Sequence, residues 1–233
     1  MVNNMDNKII KNEKEVPAFL TGCLTIILIV AFTFSLKNYE PIRNIIISGG
    51  IITYPFTFLI VALISKYYGF KSARKSIYIS SLLYIIFMIL IMISAIPQAN
   101  SMTGIYNSVI QYLFVNNYFT IGSISIFYPT LGHFFGVLIA FVVSHLLFAT
   151  IYNAIHRFTV DYLAVGLGLF ISYIIDRLAF IPILYAKGLS QGSNTFEYLI
   201  QCLTSEFIAS IVASIIVLII YIVITKLKKT VKN

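Results

Sequence analysis

The sequence predicts an all-α membrane protein, a bundle of six transmembrane helices, on three observations. Of its 233 residues 59% are hydrophobic and only 10% charged, with a mean hydropathy of +0.94. An average soluble domain is about a quarter charged, so a soluble enzyme, a disordered chain and a disulfide scaffold are excluded. Six apolar runs reach the ~20 residues that a helix needs to cross hydrocarbon. Lys and Arg, with one exception, fall between those runs and in the two tails.

Residues 1–15 are polar and mixed in charge and read as an N-terminal tail. The first span, 16–36, is too long for a signal-peptide core, and no small-residue cleavage site follows it, so it is read as retained. The second, 45–65, has Ser48-Gly49-Gly50 near its start and is broken by Pro55; the third, 77–96, stops at Pro97. The fourth is 131–152, the fifth 162–185 and the sixth 198–225, all forming one transmembrane domain over 16–225. Residues 98–130 carry no Lys, Arg, Asp or Glu but are rich in Asn, Ser, Gly and Tyr. They read as a polar loop or re-entrant segment, with Ile105–Val115 as an amphipathic stretch. Residues 226–233 form a basic tail.

With six spans, 12 Lys and Arg fall on the side of the two tails and 3 (Lys37, Arg43, Lys187) on the other. The positive-inside rule therefore predicts a multi-pass inner-membrane protein with both termini cytoplasmic. The formal net charge of +8 is topogenic, facing an anionic leaflet, and no nucleic-acid partner is implied. Cys23 and Cys202 sit inside apolar runs without metal-site spacing and read as packing residues.

Charges within hydrocarbon cost at least about 2.5–3.5 kcal/mol each and call for a partner or a cavity. Asp176 and Arg177 lie in the fifth span and Glu206 in the sixth. Adjacent helical residues point about 100° apart, so Asp176 and Arg177 are expected on different faces, and Glu206 is the expected partner of Arg177. The pair either staples two helices or leaves a carboxylate, Asp176 or Glu206, as a substrate or proton ligand. The fourth span carries His133 and His145, with His156 just beyond it; His145, Tyr152 and His156 share one stripe. No third ligand at helical spacing accompanies them, so no metal is expected. Gly132, Gly136, Ala140 and Ser144 form a small-residue ladder for close helix packing, as do Ser205, Ala209 and Ala213. No phosphate loop, nucleophile elbow or His-Glu-x-x-His motif occurs, so neither an enzyme nor a bound cofactor is expected.

One block is more specific. Gly50, Tyr54-Pro55-Phe56, Phe58-Leu59, Leu63, Tyr68-Gly69 and Ala73-Arg74-Lys75 resemble the signature region of the queuosine precursor transporter family, formerly grouped with vitamin uptake transporters. Ala140-Phe141, Ser144-His145, Tyr152-Asn153 and Asp176 with Leu178-Ala179-Phe180 extend the likeness over about 45–225. The departures fall on polar positions. Val61-Ala62 stands where the family has an acidic residue, Phe148 where it has Asp and His145 where it has Gln. Gly168 and Tyr173 replace its fifth-span polar pair, and Glu206 stands at its Lys.

The resemblance implies a fold similar to the six-helix substrate-binding subunits of energy-coupling-factor importers. It further implies an importer of a queuosine precursor such as 7-cyano-7-deazaguanine. A flat, neutral solute of that kind calls for aromatic stacking and a carboxylate against its purine-like edge. Tyr54, Phe56, His145, Tyr173, Asp176 and Glu206 are the candidate substrate-binding residues. Two alternatives stand beside a self-sufficient importer: a binding subunit served by a separate ATPase, and a non-transporting membrane scaffold. The implied partners are a small-molecule substrate and the lipid bilayer, with a homodimer left open.

Overall fold

The computed structural model describes residues 2–35, 38–42, 45–94, 118–121, 124–190 and 194–231. Helix α1 (Val2–Ser35) leads into an antiparallel hairpin of β1 (Asn38–Ile42) and β2 (Ile45–Ser48). A 3-10 turn (Gly49–Ile52) follows, then α2 (Pro55–Ser94). A second hairpin, β3 (Tyr118–Ile121) with β4 (Ile124–Phe127), precedes α3 (Tyr128–Ile155), α4 (Asp161–Ser190) and α5 (Thr195–Val231). The amphipathic stretch expected at Ile105–Val115 lies outside the described residues, as does the side chain of His133.

The protein is an all-α membrane protein, and among the described residues five helical stretches are long and apolar enough to cross a bilayer. They are Pro17–Ser35, Gly49–Ile91, Phe134–Ile155, Asp161–Ile181 and Phe196–Leu227. The difference from six arises because the expected second and third spans share one 43-residue element. The expected second span also does not open as a helix: 45–48 is strand, 49–52 is the 3-10 turn, and the helix begins at Pro55. Proline suits that first helical position because its missing N–H would have no partner there.

The long element is not straight. Gly69 within α2 has φ 80° and ψ 169°, a backbone region essentially reserved for glycine. A straight helix would separate residues 50 and 84 by ~50 Å. Instead both lie against the same end of α1. A Cβ on Gly50 would stand 2.7 Å from the Ala31 carbonyl oxygen, and the Tyr84 ring packs edge-on against Phe32 at 5.5 Å. The second arm of α2 follows α1 in parallel, with Thr21 bonded to Ser76 at 2.8 Å and Thr25 to Ser80 at 3.0 Å. The chain therefore folds back on itself at Gly69.

Packing follows from small residues facing large ones. A Cβ on Gly168 of α4 would meet the Phe148 ring of α3 at 3.0 Å, so the bare glycine is what lets that ring lie between the helices. Ala140 and Ser144, on the α3 ladder, are buried, whereas Phe135, Ile139 and Val143 on the other face are exposed. The same inversion holds along α5, where Ile208, Val212, Ile215 and Ile219 are exposed. Apolar surface of this kind is what a bilayer covers.

Gly69→Ala is expected to destabilise the protein by about 1–3 kcal/mol, the strain of a side chain in that backbone region. Gly22→Ala is the control, since a Cβ there meets nothing within 4 Å. Thermal unfolding of the two variants in detergent checks the difference.

Candidate functional site

The site is assembled where the β1–β2 hairpin hands over to α2. Ser48 ends β2, and the tight turn through Gly49 and Gly50 leaves its backbone N–H pointing to α5, where it donates to Glu206 Oε1 at 2.5 Å. The turn can press so closely on Ala31 and Ser35 only because Gly50 lacks a side chain. Tyr54 follows immediately, and its hydroxyl donates to Asp176 Oδ1 of α4 at 2.6 Å. Ser144 of α3 donates to the same oxygen at 3.1 Å.

Arg177 completes the arrangement. Its Nε and Nη2 donate to Asp176 Oδ2, at 3.1 and 2.5 Å, and its Nη1 donates to Glu206 Oε2. Asp176 is 1% exposed, Glu206 2%, and the Arg177 side chain 13%. The Arg177–Glu206 pair anticipated from the sequence is present. The expectation that Asp176 and Arg177 diverge is corrected: the guanidinium, carried on a long flexible stem, curls back across the 100° between them. One cation thus bridges two carboxylates, and each carboxylate receives further donors. Burial without such donors would cost several kcal/mol per charge.

His145 anchors the adjoining aromatic layer. Its Nδ1 lies 2.9 Å from the Phe141 carbonyl oxygen, an acceptor only, which assigns the proton to Nδ1. Nε2 faces Thr57 Oγ1 at 2.7 Å. The imidazole stacks on Phe58 at 3.9 Å, and Phe58 meets Tyr173 at 4.8 Å and Phe148 at 5.6 Å. The Tyr173 and Ser172 hydroxyls are buried and without a partner among the described residues. Such groups are rare in an interior and call for an explanation.

Of the six residues singled out in the sequence, Tyr54, His145, Asp176 and Glu206 fall in one connected neighbourhood, with Tyr173 beside it. Phe56 does not join them. Two helical positions from Tyr54 it points about 200° away, and it is only partly buried. Phe58 takes the stacking place instead. Thr57, one turn after Tyr54, and Ser144, next to His145, were discernible only as small polar residues at helical spacing.

Beside the ionic group lies a cavity of about 30 Å³, bordered by Ser35, Ser48, Gly50, Tyr54, Asp176 and Arg177. It has room for one or two waters. Pockets for small molecules run to about 300–1,000 Å³. The carboxylates are engaged by the hydrogen bonds above, and the cavity beside them is too small for a planar solute.

A second polar cluster sits some 15 residues earlier along α4, ~22 Å away. Asp161 accepts from Lys66 Nζ at 2.5 Å, from Tyr152 Oη at 2.6 Å and from Tyr221 Oη. His156 Nδ1 lies 3.2 Å from the same carboxylate. The cluster ties the first arm of α2 to α3, α4 and α5. Sequence spacing placed Tyr152 and His156 on one stripe but gave no sign of Lys66, which is 95 residues from Asp161.

Removing the bridging cation is expected to be the most disruptive change here. Arg177→Met strands two buried carboxylates, with an expected loss of about 3–5 kcal/mol. Glu206→Gln keeps one acceptor oxygen for the two donors and leaves Arg177 paired with Asp176, and is expected to cost less. Chemical unfolding in detergent compares the two variants.

A family profile described as "Putative vitamin uptake transporter" matches residues 48–224. The matched stretch starts at Ser48, which holds Glu206, and contains both polar clusters. No curated protein and no solved structure matches the chain. The profile spans most of the chain and carries the signature block read from the sequence, so this protein belongs to the vitamin uptake transporter family, the queuosine precursor transporters.

Proposed function

We propose that the protein is a self-sufficient importer of a queuosine precursor, 7-cyano-7-deazaguanine or a closely related deazapurine. The observation that carries this reading is the buried network of Tyr54, Asp176, Arg177 and Glu206, seated next to an aromatic layer. Those are the two elements that a flat solute with amine donors requires: a carboxylate for its edge and rings for its face. Asp176 is the acceptor for the exocyclic amine, Tyr54 and Glu206 flank it, and His145 frames the ring. Tyr173, whose buried hydroxyl has no partner among the described residues, is placed to bond the solute.

On this reading the solute needs more room than the cavity of about 30 Å³ gives. Loading separates Asp176 from Tyr54 and Ser144 and widens the space between α2 and α4. The Asp161 cluster closes the opposite end of the bundle, so transport alternates between opening one cluster and opening the other.

The reading includes six passes. The 3-10 turn and the first arm of α2 together rise ~29 Å, about the thickness of the hydrocarbon core. After the reversal at Gly69 the second arm crosses again. Thr21, Ser76, Lys66 and Asp161 then lie at one end of the bundle, together with Lys71, Arg74, Lys75 and Arg157. By the positive-inside rule that end is cytoplasmic, and both termini with it. A six-helix bundle of this kind is in keeping with the energy-coupling-factor likeness read from the sequence.

A second reading, a scaffold that no longer transports, draws on one specific feature. Phe148 and Gly168 stand where the resemblance places polar residues, and in this structure they fit each other as a large and a small apolar partner.

Purified protein alone in liposomes is expected to accumulate radiolabelled 7-cyano-7-deazaguanine without ATP. Asp176→Asn, folded as judged by size exclusion, is expected to lose at least about tenfold of that uptake. Uptake only with an added ATPase supports the binding-subunit alternative. No uptake under either condition, and no deazapurine that stabilises the protein, supports the scaffold.

A further inference from the structure

The second arm of α2 carries a groove that the transport reading does not use. Lys71, Arg74, Lys75, Tyr78, Ile79 and Leu82 line a groove of about 470 Å³. Their spacing of 3, 1, 3, 1 and 3 puts them within a sector of about 140° on one helical face. All six are exposed, with Tyr78 at 48% and Leu82 at 57%. Among the described residues no carboxylate pairs with Lys71, Arg74 or Lys75. Arg74 instead lies over the Phe70 ring, 5.5 Å from its centroid.

The order of these residues along the helix is what points to an occupant. Three cations come first, directly after the reversal at Gly69, then the amphipathic Tyr78, then Ile79 and Leu82. From Lys71 to Leu82 the helix rises ~16 Å, about half the thickness of a bilayer's hydrocarbon core. The opposite face of the same arm is committed to the bundle, with Ala73, Ser76, Ile77 and Ser80 buried against α1 and its neighbours. The groove therefore faces the lipid, with its charged end at the boundary where phosphate groups lie and its apolar end one leaflet deep. A cationic stripe alone would be topogenic. A cationic mouth continued by an apolar groove of single-leaflet length matches a phospholipid.

We propose that this groove is a binding site for one anionic phospholipid. Lys71, Arg74 and Lys75 hold the headgroup phosphate, Tyr78 sits at the ester level, and Ile79 and Leu82 pack along an acyl chain. The charge complementarity selects a net-negative headgroup such as phosphatidylglycerol over zwitterionic phosphatidylcholine, since each Lys or Arg near the surface contributes about 1 kcal/mol. The site stands on the groove and on the membrane setting, independently of what the bundle transports.

Native mass spectrometry of the purified full chain tests it in an equimolar mixture of phosphatidylglycerol and phosphatidylcholine. The protein is expected to retain phosphatidylglycerol over phosphatidylcholine by about tenfold or more. The Lys71→Gln/Arg74→Gln/Lys75→Gln variant is expected to lose that preference while its thermal unfolding in phosphatidylcholine stays unchanged. A matched variant, Lys226→Gln/Lys228→Gln/Lys229→Gln, is expected to keep it. Three results would overturn the proposal. They are equal retention of both lipids, a preference that survives in the first variant, and displacement of phosphatidylglycerol by millimolar inorganic phosphate, which would make the groove a plain anion site.

Discussion

One guanidinium shared between two carboxylates holds the centre of this bundle. In hydrocarbon each of these charges alone would be prohibitive, and a single ion pair would barely offset its own desolvation. Arg177 resolves this by reaching both Asp176 on its own helix and Glu206 on the next. The remaining lone pairs are met by Tyr54, Ser144 and the Ser48 amide. Because those donors come from β2, from the turn before α2 and from α3, satisfying the charges requires these segments to meet α4 and α5 at one point. The glycine turn at Gly50 and the fold-back at Gly69 are the backbone conditions for that meeting.

The same logic recurs at Asp161, where Lys66, Tyr152 and Tyr221 gather around one carboxylate. Between the two clusters the interior is aromatic, with Phe58 at the centre of contacts to His145, Tyr173 and Phe148. Polar ends and an apolar middle give a bundle that is closed at both levels but not uniformly packed. The hydroxyls of Ser172 and Tyr173, without a partner among the described residues, lie in that middle region. A transporter needs elements that part at modest free-energy cost. Hydrogen-bonded ionic groups, which water or a solute can replace, suit that need better than interlocked aliphatic side chains.

How much of this was legible in the sequence depended on whether the signal was local. Apolar run length gave the helical elements, since crossing hydrocarbon is a requirement on consecutive residues. The Arg177–Glu206 contact was legible because intramembrane charges are few and must find each other. The hairpins and the joining of two expected spans into one folded-back helix were not. They depend on a single glycine conformation at Gly69 and on backbone pairing that hydropathy does not register. Phe56 was preferred to Phe58 because both are aromatic and only the position of Tyr54 on the helix separates them. The Asp161 cluster was missed because Lys66 and Tyr221 lie 95 and 60 residues from Asp161 in the chain. The replaced polar positions were visible in the resemblance, but the fit of two of them, Phe148 against Gly168, needed the packing.

In the proposed function Asp176 leaves its present partners to accept a planar solute. Isothermal titration of 7-cyano-7-deazaguanine into the purified protein tests this most directly, with Asp176→Asn alongside. Saturable heat at one site per chain, lost in the variant while its fold persists, is the expected result. Absence of any heat, or an isotherm unaltered by the variant, would contradict the account.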